Sequence, residues 1–286
     1  MSVINAFILG LIQGVAEFLP VSSSGHLSIA QNLFGLGLEG TDDMFFDVLL
    51  HLGTLAAVFV AYWSDIKEMV SECVDIVRDI RSGTMPEQTP PARRLILLII
   101  IGTLPLALIL PIKDAVENLS SNTYFVGFAL LITGGLLYMC DQVSKGRKNE
   151  RSVTAKDVLL IGVSQALATC PGISRSGMTI SMGCFCGLER KFAVRFAFLL
   201  SIPAVLGANL LQIFGALGDG INWSMLPAYF VGVAVAAVSG YFSIRLLKMV
   251  AEKGKFGAFS YYCWAAGGVT LLLTILKMAG WLPWLA

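Results

Sequence analysis

Residues 10–35, GLIQGVAEFLPVSSSGHLSIAQNLFG, return at residues 162–187 as GVSQALATCPGISRSGMTISMGCFCG, aligned without a gap under one fixed offset. Gly10 pairs with Gly162, Gln13 with Gln165, Ser22 with Ser174, Ser24 with Ser176, Gly25 with Gly177 and Gly35 with Gly187. Such self-similarity commits the two halves of a chain to the same local fold. The copies differ where chemistry differs: Glu17, Ser23 and His26 in the first face Thr169, Arg175 and Met178 in the second.

Both copies are polar islands in an apolar chain. Of its 286 residues 56% are hydrophobic and only 14% charged, with a mean hydropathy of +0.76. That excludes an ordinary soluble domain. Several runs approach the roughly 20 apolar residues that cross about 30 Å of hydrocarbon as helix, without the alternation of barrel strands. The fold class is an all-α polytopic membrane protein. A net charge of +1, with no basic domain left beside the spans, argues against a nucleic-acid partner. The six cysteines are scattered without zinc-ligand spacing, as reduced small hydrophobes are. No basic n-region of a signal peptide opens the chain, so Met1 onward is expected in the mature protein.

Along the chain, Val3 to Leu19 is cut short by Pro20 and the Ser-Ser-Ser-Gly run, and a second short helix from His26 to Phe34 ends at Gly35 and Gly37. This predicts a re-entrant hairpin over 3–35. Full spans are expected at Met44 to Trp63, Leu95 to Pro111 with a kink at Pro105, and Tyr124 to Cys140. Between the first two, Ser64 to Arg94 reads as an amphipathic interfacial helix followed by a loop, TMPEQTPPARR. A polar, basic connector, Asp141 to Lys156, separates the halves. A second hairpin is expected over 157–188, then spans at Phe192 to Phe214, Leu226 to Leu247 and Phe259 to Lys277.

Each half, 1–141 and 153–286 of a single membrane domain, thus holds one re-entrant hairpin and three spans, about six transmembrane helices in all. An odd number of crossings turns the second half upside down. Lys and Arg favour cytoplasmic loops. With both termini outside, only Lys113 and Lys277 fall on the outer face; Arg175 lies at membrane depth, and the remaining Lys and Arg are inside. Inverted repeats whose broken helices meet near the midplane are where many transporters place their sites.

The breaks carry the chemistry. Restarting a helix at Ser22 to Gly25, and again at Ser174 to Gly177, leaves free N–H groups where the dipole favours an anion. Ser22, Ser23, Ser24, Ser174, Ser176 and Thr179 add hydroxyls, although Thr179 is equally suited to bonding back onto its own helix. Arg175 supplies charge and a planar fork that matches phosphate; pairing with Glu17 for structural reasons is the alternative. Glu17, one turn after Gln13, suits a proton acceptor, a nucleophile-orienting group or a cation ligand. His26, three residues after Ser23, suits a general acid or base for a Ser23 nucleophile. Asp47 and His51, four apart in the first span, either line the cavity or pack the helix.

The pairing of QGVAEFLPVSSSGH with PGISRSGMT resembles the bacterial undecaprenyl-diphosphate phosphatase family, also known for bacitracin resistance. Gln13 and Glu17 match its (E/Q)-x-x-x-E block, and Pro171 to Thr179 match its P-G-x-S-R-S-x-x-T block. The resemblance implies hydrolysis of a polyprenyl diphosphate lipid, undecaprenyl diphosphate, to the monophosphate in the bacterial inner membrane. That reaction recycles the carrier of cell-wall glycans. It implies a divalent cation, Mg2+ or Ca2+, with Glu17 and Gln13 as candidate ligands; where this chain has Gln13 many members have Glu. By the same resemblance Glu17, Ser23, His26, Ser174, Arg175 and Thr179 fall on functional positions. Taken with the helix breaks, Glu17, Ser23, His26 and Arg175 are expected to be catalytic, and Ser22, Ser24, Gly25, Ser174, Arg175, Ser176, Gly177 and Thr179 to bind substrate. Direct attack by water is as compatible with these residues as attack by Ser23. A lipid transporter of inverted-repeat design is the second reading, a homodimer is an allowed assembly, and the phosphate site is expected to open outward.

Overall fold

The computed structural model describes residues 2–36, 41–84, 86–219 and 223–282, the side chains of 41–44, 211–219 and 223 excepted; Gly37, an expected helix stop, lies outside them. The first helix, α1 (Val3–Phe18), starts where the Ser2 hydroxyl accepts from the Asn5 amide at 3.0 Å and stops short of Pro20. Its 16 residues span about 24 Å, less than a bilayer core. The chain turns through Ser22 and restarts as α2 (Ser23–Phe34), which ends at a left-handed Gly35, φ 63°; Leu36 then donates back to the Ala30 carbonyl at 3.1 Å.

The first span is α3 (Thr41–Ala61), joined at an 84° bend to α4 (Trp63–Ser82). The bend ends the crossing where charged residues begin, as the amphipathic pattern requires. Val70, Val74, Val77 and Ile80 stay exposed along α4, while Arg93 clamps its other side through Glu72 and Asp79, each at 2.6 Å. Helix α5 (Pro91–Thr103) begins inside the stretch expected as a loop, because a proline at a first helical position is already preorganised.

At Pro105 the outcome differs from a kink. The α-helix stops at Thr103, and residues 104–108 and 110–112 continue as 3-10 turns before α6 (Lys113–Glu117). Pro105 and Pro111 each remove an amide donor and crowd the preceding turn, so the tighter spiral replaces the α ladder. Helix α7 (Thr123–Gln142) closes the first half.

In the second half α8 (Ala155–Leu167) starts with a reciprocal capping box between Thr154 and Asp157. After Pro171, α9 (Arg175–Phe185) begins, followed by α10 (Arg190–Asp219), α11 (Leu226–Lys253) and α12 (Gly257–Met278). Among the described residues five stretches, 91–121, 123–142, 190–210, 226–253 and 257–278, are long and apolar enough to cross a membrane, and the bent pair of α3 and α4 makes a sixth when counted as one span. Outward side chains such as Leu108, Phe230 and Phe242 remain exposed, as lipid-facing positions do. Among the described residues there is no β-strand, only an isolated bridge between Lys148 and Leu188. All six cysteines are free.

Helix contacts recur in matched pairs. α1 lies along α11 so closely that a methyl at Gly10 would stand 2.5 Å from the Gly232 carbonyl oxygen; α8 lies on α5 with Gly162 2.4 Å, on the same measure, from that of Gly102. α7 and α12 meet reciprocally, Gly267 against the Gly127 carbonyl and Gly127 against that of Gly267. Small residues at these crossings let backbones approach and gain van der Waals contact where lipid offers no hydrophobic driving force. Helix α7 also touches α2 and α9 and so brings the two broken hairpins together.

Candidate active site

Ser22 and Ser174, equivalent in the two copies, cap their helices alike. The Ser22 hydroxyl accepts from the Gly25 amide at 3.2 Å and the Ser174 hydroxyl from the Gly177 amide at 3.1 Å; Ser24 and Ser176 stand beside them at 3.4 and 3.2 Å. The amides of Ser23, Ser24, Arg175 and Ser176 have no acceptor among the described residues. Two helix N-termini therefore present unfilled donors with the positive end of each dipole. Gly25 permits their approach, since a methyl there would stand 2.9 Å from the Gly172 α-carbon. Ser176 donates across to the Leu19 carbonyl at 3.3 Å, and Thr133 on α7 accepts from the Ser174 amide at 3.1 Å.

Between the two ends sits Glu17, with only 5% of its side chain exposed. Its Oε1 is paired with Arg175 from the other hairpin. Its Oε2 accepts from the Ser23 hydroxyl at 2.5 Å and from Gln13 Nε2 at 3.1 Å, with His51 Nε2 3.8 Å away. A carboxylate this buried is sustained by its pairing with a cation and by hydrogen bonds. Arg175 gives one nitrogen to Glu17, and its remaining N–H groups have no protein acceptor among the described residues. The pairing thus leaves the other guanidinium donors available to an anion.

Glu17, Ser22, Ser23, Ser24, Ser174 and Arg175 line one end of a cavity of about 910 Å³. Its lining from residues 99–110 and 203–210 is apolar except for Thr103 and Asn209, and it reaches Lys113 and Glu117. Gln13, Gly25, His26, Ser176, Gly177 and Thr179 are not on that surface. Thr179 donates to the Arg175 carbonyl at 2.9 Å, so its hydroxyl is spent on its own helix.

The expected partnership of His26 with Ser23 takes another form. His26 Nδ1 lies 2.7 Å from the Ser22 carbonyl and Nε2 2.7 Å from the Tyr262 hydroxyl. Ser22 is the one non-glycine residue with positive φ, 72°, among those described. A conformation of that kind costs about 1–3 kcal/mol and persists only when neighbours hold it. His26 is the holding group. The histidine facing Glu17 is His51: its Nδ1 lies 2.8 Å from the Asp47 carbonyl, which fixes the ring and leaves Nε2 toward the carboxylate. An ionisable group within an apolar span was the signal for it. Gln165, the counterpart of Gln13, also lines the cavity and was visible only as a repeat partner.

The donors here fit a protein-held divalent cation poorly. Among the described residues Glu17 is the single carboxylate beside the two helix breaks, and both its oxygens are taken by Arg175, Ser23 and Gln13. Among the described residues no three His, Cys, Asp or Glu side chains gather in a metal-holding group. Hard cations need several oxygen ligands.

These features define an integral membrane protein whose anion-accepting site stands at the end of an apolar cavity, the arrangement demanded by an amphiphile with an anionic head. The chain belongs to the family of the bacitracin resistance protein BacA, whose family model matches residues 6–269. It is 38% identical over 281 residues to an undecaprenyl-diphosphatase of Methanosphaera stadtmanae, covering 96% of this chain and 99% of that one. It is 38% identical over 277 residues to one of Alkaliphilus metalliredigens, covering 96% and 100%. Against one of Carboxydothermus hydrogenoformans it is 40% identical over 284 residues, covering 98% and 99%.

Proposed function

We infer that this chain is an integral membrane phosphatase that hydrolyses undecaprenyl diphosphate to undecaprenyl phosphate and inorganic phosphate. The reaction recycles the lipid carrier of peptidoglycan synthesis and confers bacitracin resistance. The observation that carries the chemistry is the Ser23 hydroxyl 2.5 Å from Glu17 Oε2, between two open helix N-termini and beside Arg175.

The terminal phosphate binds at the amides of Ser23, Ser24, Arg175 and Ser176, with the guanidinium of Arg175 across its oxygens and the Ser22, Ser24 and Ser174 hydroxyls around it. The polyprenyl chain lies along the walls of the cavity. Ser23 gives its proton to Glu17 Oε2 as its oxygen forms a bond to the terminal phosphorus. The bond from that phosphorus to the bridging oxygen breaks, and undecaprenyl phosphate leaves as its anion. Water then attacks the phosphoserine, its proton passing to His51 Nε2, while Glu17 returns the first proton to the departing Ser23 oxygen. Arg175 and the amides stabilise charge that develops on phosphoryl oxygens, the dominant demand in phosphoryl transfer. His26 keeps the Ser22 turn in place and so aims Ser23. A divalent cation, where the reaction uses one, would neutralise phosphate charge and would be carried by the substrate rather than held by Glu17, whose oxygens are taken by Arg175, Ser23 and Gln13.

We place the protein in the bacterial inner membrane with both termini outside, as the distribution of Lys and Arg supports. The cavity reaches Lys113, one of the two basic residues assigned to the outer face, which supports an outward opening. Residues 1–141 and 153–286 are inverted copies about a pseudo-twofold axis, supported by the matched crossings of Gly10 with Gly232 and Gly162 with Gly102. Every group in this mechanism comes from one chain, so a homodimer, if formed, adds nothing to the site. The test is phosphate release from undecaprenyl diphosphate by the purified protein in detergent. Activity in the parent and its loss in Arg175→Ala support the reading; normal activity in Arg175→Ala overturns it.

A further inference from the structure

Gln165 should have the same use as Gln13, yet its partner is missing. Gln13 donates to Glu17, but the position equivalent to Glu17 is Thr169, whose hydroxyl turns back to the Ala166 carbonyl at 2.8 Å. Among the described residues, Gln165 is 1% exposed with no partner for its Oε1 or Nε2, and Asn209 on α10 is 3% exposed with no partner for its Nδ2. Both residues line the cavity that holds Ser23 and Arg175. Buried amides without hydrogen bonds destabilise a fold, so each such group in a native protein calls for a ligand or water.

Their position narrows the choice of ligand. Neither residue is at a hairpin tip, where the first phosphate is held. Gln165 is on α8, which packs on α5, and Asn209 is in the wall running from Pro203 to Leu210. They are polar groups set into the surfaces that receive the lipid. A diphosphate carries a second phosphate, the one that stays on the lipid, and this group must enter between the anion site and the apolar walls.

We propose that Gln165 and Asn209 are a neutral amide clamp for the lipid-proximal phosphate, which they hold in substrate and in product. The assignment rests on the phosphatase reading. Neutral donors suit this position because they satisfy phosphate oxygens without a second fixed cation that would retain the charged product. The clamp binds and positions; it takes no part in the proton transfers at Ser23 and Glu17.

Gln165→Leu, which replaces the amide by an apolar side chain of similar size, separates binding from folding. The purified parent, Gln165→Leu and Asn209→Leu are compared by kinetics on farnesyl diphosphate, by inhibition with farnesyl monophosphate and with inorganic phosphate, and by thermal unfolding without ligand. The clamp predicts KM raised about tenfold and kcat changed less. Inhibition by farnesyl monophosphate weakens similarly, while inhibition by inorganic phosphate is kept. It also predicts an unliganded Tm at or above that of the parent by about 2–4 °C, because an unpaired buried amide has been removed. Unchanged KM and unchanged inhibition in both variants mean that water alone satisfies the amides, and overturn the proposal. Loss of inhibition by inorganic phosphate with farnesyl monophosphate unaffected also overturns it, placing Gln165 at the terminal phosphate. A parent that hydrolyses neither farnesyl diphosphate nor undecaprenyl diphosphate defeats the underlying phosphatase reading instead.

Discussion

Glu17 joins the two hairpins through one carboxylate: Oε2 accepts the hydroxyl of Ser23 from its own half, and Oε1 is paired with Arg175 from the other. In the proposed mechanism, the attacking hydroxyl and the phosphate-binding guanidinium are thus aligned by a single side chain, and each half is expected to be inert without its partner.

Replacing Glu17 by Gln keeps the shape and removes the base. The kcat should fall by about 10²–10⁴ with KM changed far less, since the backbone amides and serine hydroxyls that hold the phosphate are untouched. Steady-state kinetics in detergent check this, and a purely raised KM would mean that Glu17 serves binding alone.

Arg175→Lys should fail nearly as badly as Arg175→Ala. An ammonium cannot span Glu17 Oε1 and phosphate oxygens as a planar fork does, and an arginine acting on the transferring phosphoryl group is worth about 10³–10⁵ in rate. Recovery of most activity with Lys would reduce Arg175 to a point charge.

The two histidines should separate by readout. His51→Ala should lower the rate of the dephosphorylation step by roughly 10²-fold and let phosphoenzyme accumulate after a rapid acid quench. Tyr262→Phe removes one hydrogen bond from His26, worth about 1 kcal/mol. It should lower Tm by about 2–4 °C with a modest loss of kcat. The reverse pattern would make His26 the proton carrier.

The helix crossings give a stability prediction remote from the site. Gly10→Ala and Gly162→Ala each drive a methyl against a neighbouring carbonyl oxygen, at 2.5 and 2.4 Å before relaxation. Each should destabilise by about 1–3 kcal/mol, read as a lowered Tm. Gly135→Ala, where nothing lies within 4 Å of the added methyl, is the control.

Chelation separates a substrate-borne cation from a resident one. Because Glu17 is already saturated by protein donors, EDTA should lower hydrolysis of the diphosphate while leaving the Tm of the unliganded protein unchanged. A fall of several degrees in that Tm would indicate a structural or resident metal site.

The fold and the site differ in how far they can be read from residues alone. Apolar run length and the breaks at Pro20 and Pro171 specify spans and short helices because the bilayer leaves few alternatives to helix. The motif gathered Glu17, Ser23 and Arg175 for the same reason, since polar groups at membrane depth must meet. Pro105 was harder: whether a proline kinks a helix or converts it to 3-10 turns depends on what the next turn packs against. That His26 turns to Ser22 and Tyr262 while His51 faces Glu17 was hidden, because it follows from a positive φ at Ser22 and a hydroxyl supplied by Tyr262 from the far end of the chain. Gln165 gave no chemical signal, as its importance lies in the loss of a partner.

The most direct measurement uses undecaprenyl diphosphate labelled at the terminal phosphate, mixed with purified protein and quenched in acid within the first turnover. The account predicts label on Ser23, increased in His51→Ala, and neither label nor phosphate release in Ser23→Ala. Full phosphate release by Ser23→Ala, with no labelled protein at any time, would contradict it and assign the attack to water.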